Sequence, residues 1–346
     1  MTHWAEYICP FIFGIYKMTL KPFKNTDEQI QILKDRNLLF LDEEFAKNNL
    51  QRYGYYEIIN GYKKPFLVPE KDEVAFKDGT TFEHIYALYD FDKSLRSVVL
   101  EALEDFEQYF KASIAYAVSD IISDDQNKYL AKYHYNTGRT RGKKSERDKM
   151  LKGFKDIITK SNVQPFVHYR KKFHNIPPWI LTKGMSFGNS IYWFRLSKPK
   201  IRNAVISSML ITDAFSVETN NLEIKQFFGD ILNLYLGYRN VAAHNGRIYN
   251  YRSNKHLLRH STYIYNKKGI DISKSDFDKG ICRSSLGVVL YSLMSFKNPN
   301  PAIKLNAGLE VYLKNYLKKY PQDREFILKS MELNKLDFIL KSLNIS

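Results

Sequence analysis

The longest amphipathic repeat of the chain lies at residues 80–117 and reads TTFEHIYALYDFDKSLRSVVLEALEDFEQYFKASIAYA. Its apolar residues recur every three or four positions, a spacing that places them on one face of an α-helix. Thr80 followed by Glu83 has the spacing of a capping box, which predicts that the helix begins there. The stretch therefore predicts one long helix. The apolar repeat consists of Leu88, Phe91, Leu95, Val98, Ala102, Phe106, Phe110, Ile114 and Ala117.

Helical patterns continue outward from this stretch. A second apolar helix is predicted between Leu222 and His244, with Asn245 and Gly246 as end signals. Ser275 followed by Asp278 predicts the start of a further helix that ends before Pro299. Alternating strand patterns are scarce. We predict an all-α (mainly α) fold class, a helical bundle with additional helices and a basic loop region.

The net charge of the chain is concentrated in two segments. The 346 residues hold 53 Lys and Arg against 37 Asp and Glu, a net charge of +16, which favours a polyanionic partner. Residues 132–172, the first basic cluster, have 13 basic and 3 acidic side chains; residues 247–283, the second basic cluster, have nine and three. Tyrosines are interleaved with both clusters. Cations that neutralise phosphates beside rings that stack on bases favour single-stranded or looped RNA, with a solvated, mobile loop as the alternative.

Several other classes of protein are disfavoured. Two cysteines, Cys9 and Cys282, are too few for a disulfide framework, and the uncharged runs are too short to span a bilayer, so a cytoplasmic protein is expected. No cofactor and no metal site is predicted, and we interpret His256 and His260 as surface or core residues. Residues 184–188, GMSFG, match the GxSxG pattern of serine hydrolases, but the parallel sheet that this pattern requires is not predicted.

A candidate catalytic motif lies at residues 239–244, RNVAAH, where an arginine and a histidine lie five apart at the end of a predicted apolar helix. Histidine titrates near neutral pH and can move the proton of a ribose 2′-hydroxyl or protonate a leaving oxygen. Arginine can hold a phosphate through two parallel hydrogen bonds. The spacing alone is weak support, because such pairs arise often by chance.

The surrounding sequence strengthens this interpretation. Residues 239–252, RNVAAHNGRIYNYR, resemble the signature of the Abi (abortive infection) family, which belongs to the HEPN superfamily of helical ribonucleases. The similarity covers about residues 20–252. Four more segments agree in order along the chain: KPFKNTDEQIQILKDRNLLF (21–40), RYGYYEIINGYKKPF (52–66), YDFDKSLRSVVLEALEDFEQYFKASIAY (89–116) and PPWILTKGMSFGN (177–189).

The resemblance implies a HEPN-like bundle that cleaves RNA without a metal ion and leaves a 2′,3′-cyclic phosphate. It also implies a homodimer in which two RxxxxH motifs face each other. In such a site His244 is the general base or acid, Arg239 holds the phosphate, and Asn240 orients Arg239. The expected biological role is toxin-like phage defence by abortive infection. The alternative is an RNA-binding protein that forms a ribonucleoprotein with a dedicated noncoding RNA and does not cleave.

Three positions depart from the family pattern. Ala242 stands where a cysteine is usual, Asn245 where a second histidine is frequent, and Lys183 where we expect a glutamate before the SFG turn. In the family this turn joins two helices, which makes Ser186 a packing or capping residue. Domain bounds follow from the similarity: an N-terminal extension at 1–19, the Abi-type domain at 20–252 with the basic insertion 132–172, and a helical extension at 253–346.

Further site residues come from the two clusters and from the long helix. Glu104 and Glu107 lie three apart and could pair with Arg239, but we interpret them as a solvated helix face. The predicted RNA contacts are Arg247, Arg252, Arg139, Arg141, Lys143, Lys144, Arg170, Lys171, Lys172 and Tyr249.

Overall fold

A computed structural model describes residues 22–69, 74–142, 144–211, 221–262, 264–265, 270, 272–336 and 341. The predicted extension at 1–19 and the predicted RNA contact Lys143 lie outside these residues. The chain divides into two compact units, Met1–Tyr86 and Ala87–Ser346. The predicted domain bounds near residues 20 and 252 stay predictions.

The first unit is built from short helices. Helix α1 is Thr26–Asp35 and helix α2 is Glu43–Tyr53, followed by a π-helical segment at Tyr56–Asn60 and a 3₁₀ turn at Lys64–Phe66. Helix α3, Phe82–Ile121, begins in this unit and continues in the second.

The start of helix α3 differs from its prediction by one residue. The Thr81 hydroxyl accepts the amide hydrogen of His84 at 3.1 Å, which is the capping bond assigned to Thr80. The Glu83 carboxylate accepts the amide hydrogen of Leu41 at 3.2 Å instead of reaching back to its own helix. The Thr80–Glu83 capping box is therefore wrong, although the helix itself is confirmed over the predicted length.

In the second unit, the described residues form helices, connecting segments and one small hairpin. Strands β1 (Thr140–Arg141) and β2 (Lys144–Ser145) pair antiparallel. The remaining helices are α4 (Gln126–Tyr129), α5 (Glu146–Lys160), α6 (Phe166–Phe173), α7 (Pro178–Leu181), α8 (Phe187–Leu196), α9 (Pro199–Met209), α10 (Asn221–Ala243), α11 (Lys274–Asp278), α12 (Leu286–Leu293), α13 (Asn300–Lys319) and α14 (Arg324–Met331). Short 3₁₀ turns occur at Lys132–His134, Thr182–Gly184, Pro321–Asp323 and Leu333–Lys335.

An aromatic cluster joins helices α3, α8 and α10 in the core of the second unit. Phe106 contacts the ring of Tyr235 edge to face, with ring centroids 4.8 Å apart. Phe110 packs in the same way against Phe194 at 5.8 Å. Edge-to-face contacts suit the charge distribution of aromatic rings, and they bury much apolar surface. The core thus fixes the positions of α3 and α10, which carry the candidate site.

The mainly α fold is confirmed, with two local corrections. The helix predicted from Ser275 to beyond Leu293 is two helices, α11 and α12, because Gly280 (φ +86°) and Cys282 (φ +55°) take left-handed conformations that end a helix. The basic loop region of residues 132–172 is largely folded, since it contains α5 and α6. Within the described residues no helix is both long and apolar enough to cross a membrane.

Candidate functional site

Helix α10 positions the RxxxxH residues at its C-terminal end. The helix is fixed by its buried face, which includes Tyr235 and Tyr238. It ends in a Schellman motif: the Gly246 amide donates to the Val241 carbonyl at 2.8 Å, and Asn245 has a left-handed φ of +59°. The end signals predicted from the sequence are therefore correct.

Arg239, Asn240 and His244 lie in and just after the last turn of helix α10. His244 is exposed at the C-cap, and its backbone amide donates to the Asn240 carbonyl at 3.0 Å. Five residues correspond to about 1.4 turns of helix, so Arg239 and His244 leave the helix on different sides. The Asn240 side chain is exposed.

Arg239 is held by an acidic side chain from helix α3. Its Nε lies 3.6 Å from Oε2 of Glu107, and the Arg239 side chain is 32% exposed. The other oxygen of Glu107 binds Lys111 Nζ at 2.6 Å, and Lys111 also donates to the backbone carbonyl of Met185. The Glu107 carboxylate thus contacts both Lys111 and Arg239, and it positions the Arg239 side chain.

The contact between Arg239 and Glu107 is an ion pair that falls short of a hydrogen bond. Within the described residues, Arg239 Nε and Glu107 Oε2 are both buried and have no hydrogen-bond partner. Hydrogen bonds from nitrogen to oxygen are usually 2.7–3.2 Å long. Because Glu107 faces Nε, the two terminal nitrogens of Arg239 are the ones that can donate to a phosphate.

The interpretation of Glu107 as part of a solvated helix face is wrong. Glu107 is buried, whereas Glu104, three residues earlier, is exposed as expected. The error has a physical cause, because sequence spacing shows that two residues share a helix face but not which other helix covers that face.

A second pair of charged residues on α3 holds the loop that follows His244. The buried Asp92 carboxylate accepts the amide hydrogens of Ile248 and Tyr249 at 3.0 and 2.7 Å. One turn later Arg96 donates to the backbone carbonyl of Asn245 at 2.7 Å. The chain on the far side of His244 is therefore anchored to the same helix that supports Arg239.

Asp92, Arg96 and Lys111 were missed at the sequence level, although a signal exists, whereas Glu107 was named as a possible partner of Arg239. Asp92 with Arg96 and Glu107 with Lys111 are two pairs of opposite charge at i, i+4 spacing. At about 100° per residue, all four lie within about 100° of one another around the helix, along one edge of its apolar stripe. Charged residues that border a buried stripe are candidates for internal ion pairs.

The predicted RNA contacts next to the motif have different environments. Arg247 is exposed. Tyr249 is only 1% exposed and burial raises the pKa of its hydroxyl, so its ring offers no face to a base. The Arg252 guanidinium lies 3.5 Å from a carboxylate oxygen of Glu332. Tyr249 is therefore corrected from an RNA contact to a structural residue, and the assignment of Arg252 to RNA stays a prediction.

In the first basic cluster most predicted contacts are exposed. Arg170 is the exception, because it is half-buried and donates to the carbonyls of Ile158 and Ser161, and so caps helix α5. Its assignment to RNA stays a prediction. Arg141 lies in β1, and its side chain is not among those described. The exposed predicted contacts of this cluster are Arg139, Lys144, Lys171 and Lys172.

One other sequence feature has a structural explanation. The Ser186 hydroxyl accepts the amide hydrogen of Asn189 at 3.2 Å and caps helix α8, as expected for the turn after Pro177 and Pro178. In the described part of the chain, no group of three or more His, Cys, Asp or Glu side chains has the arrangement of a metal site.

Comparison with known proteins gives one match. A family model described as Abi-like protein matches residues 48–250, which include Asp92, Glu107, Arg239 and His244. Searches of curated proteins and of solved structures found no match.

Proposed function

Because the chain belongs to the Abi-like protein family, we propose that it acts in abortive infection as a HEPN-type ribonuclease that cleaves RNA at Arg239 and His244 without a metal ion. The observation that carries the proposal is the environment of Arg239. A buried carboxylate lies 3.6 Å from its Nε, and its terminal nitrogens face no acceptor among the described residues, which leaves them available for a phosphate. His244, at the exposed helix end, supplies an imidazole that can accept or donate a proton.

The proposed reaction uses the nucleophile that RNA itself provides. The 2′-hydroxyl oxygen attacks the adjacent phosphorus, a new P–O2′ bond forms and the P–O5′ bond breaks. One proton leaves the 2′-oxygen and another reaches the 5′-oxygen, which gives a 2′,3′-cyclic phosphate and a 5′-hydroxyl. Arg239 stabilises the charge that develops on the phosphoryl oxygens.

A base and an acid are needed on opposite sides of the phosphorus, and each chain contributes one motif histidine. We therefore propose that two copies of the chain form a two-fold composite site. The different directions in which Arg239 and His244 leave helix α10 support this arrangement. Analytical ultracentrifugation of the purified protein tests it, because a strictly monomeric active enzyme would contradict the composite site.

The cleavage mechanism is tested with RNA in the presence of EDTA. We expect His244→Ala to slow cleavage by about 10² to 10⁴-fold, the usual contribution of a general acid or base, and Arg239→Ala to reduce it strongly. His260→Ala, which removes an exposed histidine outside the motif, serves as the matched control. Equal rates for wild type and the motif variants, or cleavage that requires an added metal, would exclude the mechanism.

The same preparation tests the noncleaving alternative. A ribonucleoprotein should purify with one discrete RNA species in stoichiometric amount, and both wild type and His244→Ala should leave added RNA intact. Product ends identify the chemistry independently, since only attack by the 2′-hydroxyl yields a cyclic phosphate.

A further inference from the structure

A second concave site lies on elements that do not carry Arg239 or His244. A cavity of about 400 Å³ opens between helix α5, helix α8 and the segment that enters β1. We call it the α5–α8 pocket. Its volume is within the usual range for sites that bind small molecules or single nucleotides. Helices α5 and α8 are fixed against each other by Phe154 and Trp193, whose ring centroids are 5.2 Å apart.

The charge of the pocket is positive. Arg139 and Lys149 line it, and within the part of the chain that the structure describes neither forms an ion pair. The third charged lining residue, Glu146, accepts the Arg139 amide hydrogen at 2.9 Å and pairs with Arg195 at 2.9 Å. The hydrogen bond from that amide and the contact with Arg195 hold the pKa of Glu146 below its usual value. The charge of Arg139 also acts on this carboxylate, and Lys149 adds a second cation to the pocket.

Helix α8 contributes an aromatic ring and an amide to the same pocket. Tyr192 is 46% exposed, and the Arg195 guanidinium lies 4.6 Å from its ring centroid, which holds the ring in place. Asn189 lies three residues earlier on the helix and also lines the pocket. A base can stack on an exposed ring, and an amide can donate to and accept from its edge.

Gly153 on helix α5 lines the pocket from the side opposite this ring-bearing helix. Glycine inside a helix costs about 0.5–1 kcal/mol relative to alanine. A Cβ atom at this position would meet no other atom within 4 Å, so packing does not require the glycine. The space beside this position is therefore open, and a large side chain placed there would fill part of the pocket.

We propose that the α5–α8 pocket binds one nucleotide, with its phosphate at Arg139 and Lys149 and its base on Tyr192 beside Asn189. The inference rests on the proposed function in taking an RNA strand as the main source of that nucleotide. It extends the function by giving RNA a holding site separate from the cleavage motif. A free nucleotide has the same chemistry and is the second source to test.

The test measures affinity in a His244→Ala background, so that cleavage does not interfere. Fluorescence anisotropy follows a short labelled single-stranded oligoribonucleotide, and calorimetry follows adenosine 5′-monophosphate. Tyr192→Ala should weaken binding by about tenfold, the effect of losing one stacked base, while Tyr192→Phe should not. Gly153→Leu should weaken it by filling the pocket, while Gly153→Ala should not.

The role of the positive charge is tested by comparing variants of cations inside and outside the pocket. Arg139→Gln with Lys149→Gln should weaken binding, whereas Lys155→Gln removes an exposed lysine of α5 that does not line the pocket and should have little effect.

Weaker oligonucleotide binding in the pocket variants assigns the pocket to RNA, and weaker binding of the monophosphate alone assigns it to a free nucleotide. Unchanged binding of both ligands in Gly153→Leu and Tyr192→Ala would overturn the inference. The proposed function is judged separately, from cleavage by proteins that retain His244. A negative result for nucleotide binding in the α5–α8 pocket therefore does not affect the test of RNA cleavage, and the reverse also holds.

Discussion

The two basic clusters look alike in the sequence but differ by degree in the structure. Both contain cations bound to protein groups, such as Lys132 with Asp148 in the first. In the first, residues 132–172, the cations exposed on the surface include Arg139, Lys149, Lys171 and Lys172. In the second, residues 247–283, three arginines bind protein groups. Arg252 pairs with Glu332, Arg259 binds both oxygens of Asp230 at 2.7 and 3.0 Å, and Arg283 donates to the Leu258 carbonyl at 2.8 Å.

The net charge of a segment therefore does not show whether its cations face a binding partner or bind other groups of the protein. Arginine has a planar group with five donors, which suits it to carboxylates and carbonyls inside a fold as well as to phosphates. The three paired arginines of the second cluster therefore hold an irregular segment in place, whereas Lys274 and Lys279 of the same cluster are exposed. We infer that the first cluster is the one that meets RNA, and four substitutions test this division.

The largest effect is expected where the second cluster is anchored to helix α3. Asp92→Ala leaves the buried amides of Ile248 and Tyr249 without their acceptor, at about 1–3 kcal/mol each. We expect the free energy of unfolding in urea to fall by about 3–5 kcal/mol. Asp92→Asn retains an acceptor and should lose less. Asp90→Ala, at an exposed position on the same helix, should be nearly neutral.

A smaller loss of stability is expected at Arg252. Its partner Glu332 is 11% exposed at the side chain and also accepts the Cys282 amide hydrogen at 2.8 Å. Arg252→Gln leaves this carboxylate short of a counter-charge, and we expect the free energy of unfolding to fall by about 2 kcal/mol. Thermal unfolding measures the change. A strong loss of RNA affinity in a protein of unchanged stability would assign Arg252 to RNA after all.

How far the sequence predicts such features depends on their range along the chain. The periodicity of α3 and the end of α10 at Asn245 and Gly246 are local, and both were predicted. Arg239 meets a glutamate 132 positions earlier, and Arg252 meets one 80 positions later, which local spacing does not reveal. Glu83 failed as a cap for the same reason, since its partners lie in the segment before α2.

The candidate site divides in the same way. Arg239 and His244 were found from chemistry and family resemblance, because both lie on one helix. The supports Asp92, Arg96 and Lys111 come from another helix and required the structure. Glu107 was named as a possible partner of Arg239, but it was interpreted as part of a solvated face. The sequence signal for these supporting residues is a row of oppositely charged pairs beside the apolar face of α3. The same pattern also occurs on solvated helix faces.

Arg259 provides a finer test of the second cluster. Its side chain is 58% exposed, so its bidentate contact with Asp230 is partly screened by solvent. We expect Arg259→Gln to reduce the free energy of unfolding by about 0.5–1 kcal/mol, with no change in RNA affinity. A double-mutant cycle with Asp230→Asn isolates the pair. A coupling energy of zero would mean that this arginine is as available for RNA as those of the first cluster.

The smallest change in stability is expected when exposed lysines are replaced. The same replacements distinguish the two clusters most clearly by their effect on RNA affinity. Lys171→Gln with Lys172→Gln should leave the free energy of unfolding within about 0.5 kcal/mol of wild type, because both side chains are exposed. If both contact phosphates of single-stranded RNA, the slope of log affinity against log salt should decrease by about 1.4, since each neutralised phosphate contributes about 0.7.

The matched control for this slope is Lys274→Gln with Lys279→Gln, which removes the same charge from exposed positions of the second cluster. A general attraction of the protein's net charge for RNA would change both slopes equally, because it depends on total charge and not on position. A local contact changes only the first. Equal slopes would therefore break the division between the clusters, and unequal slopes would place the RNA strand along residues 132–172.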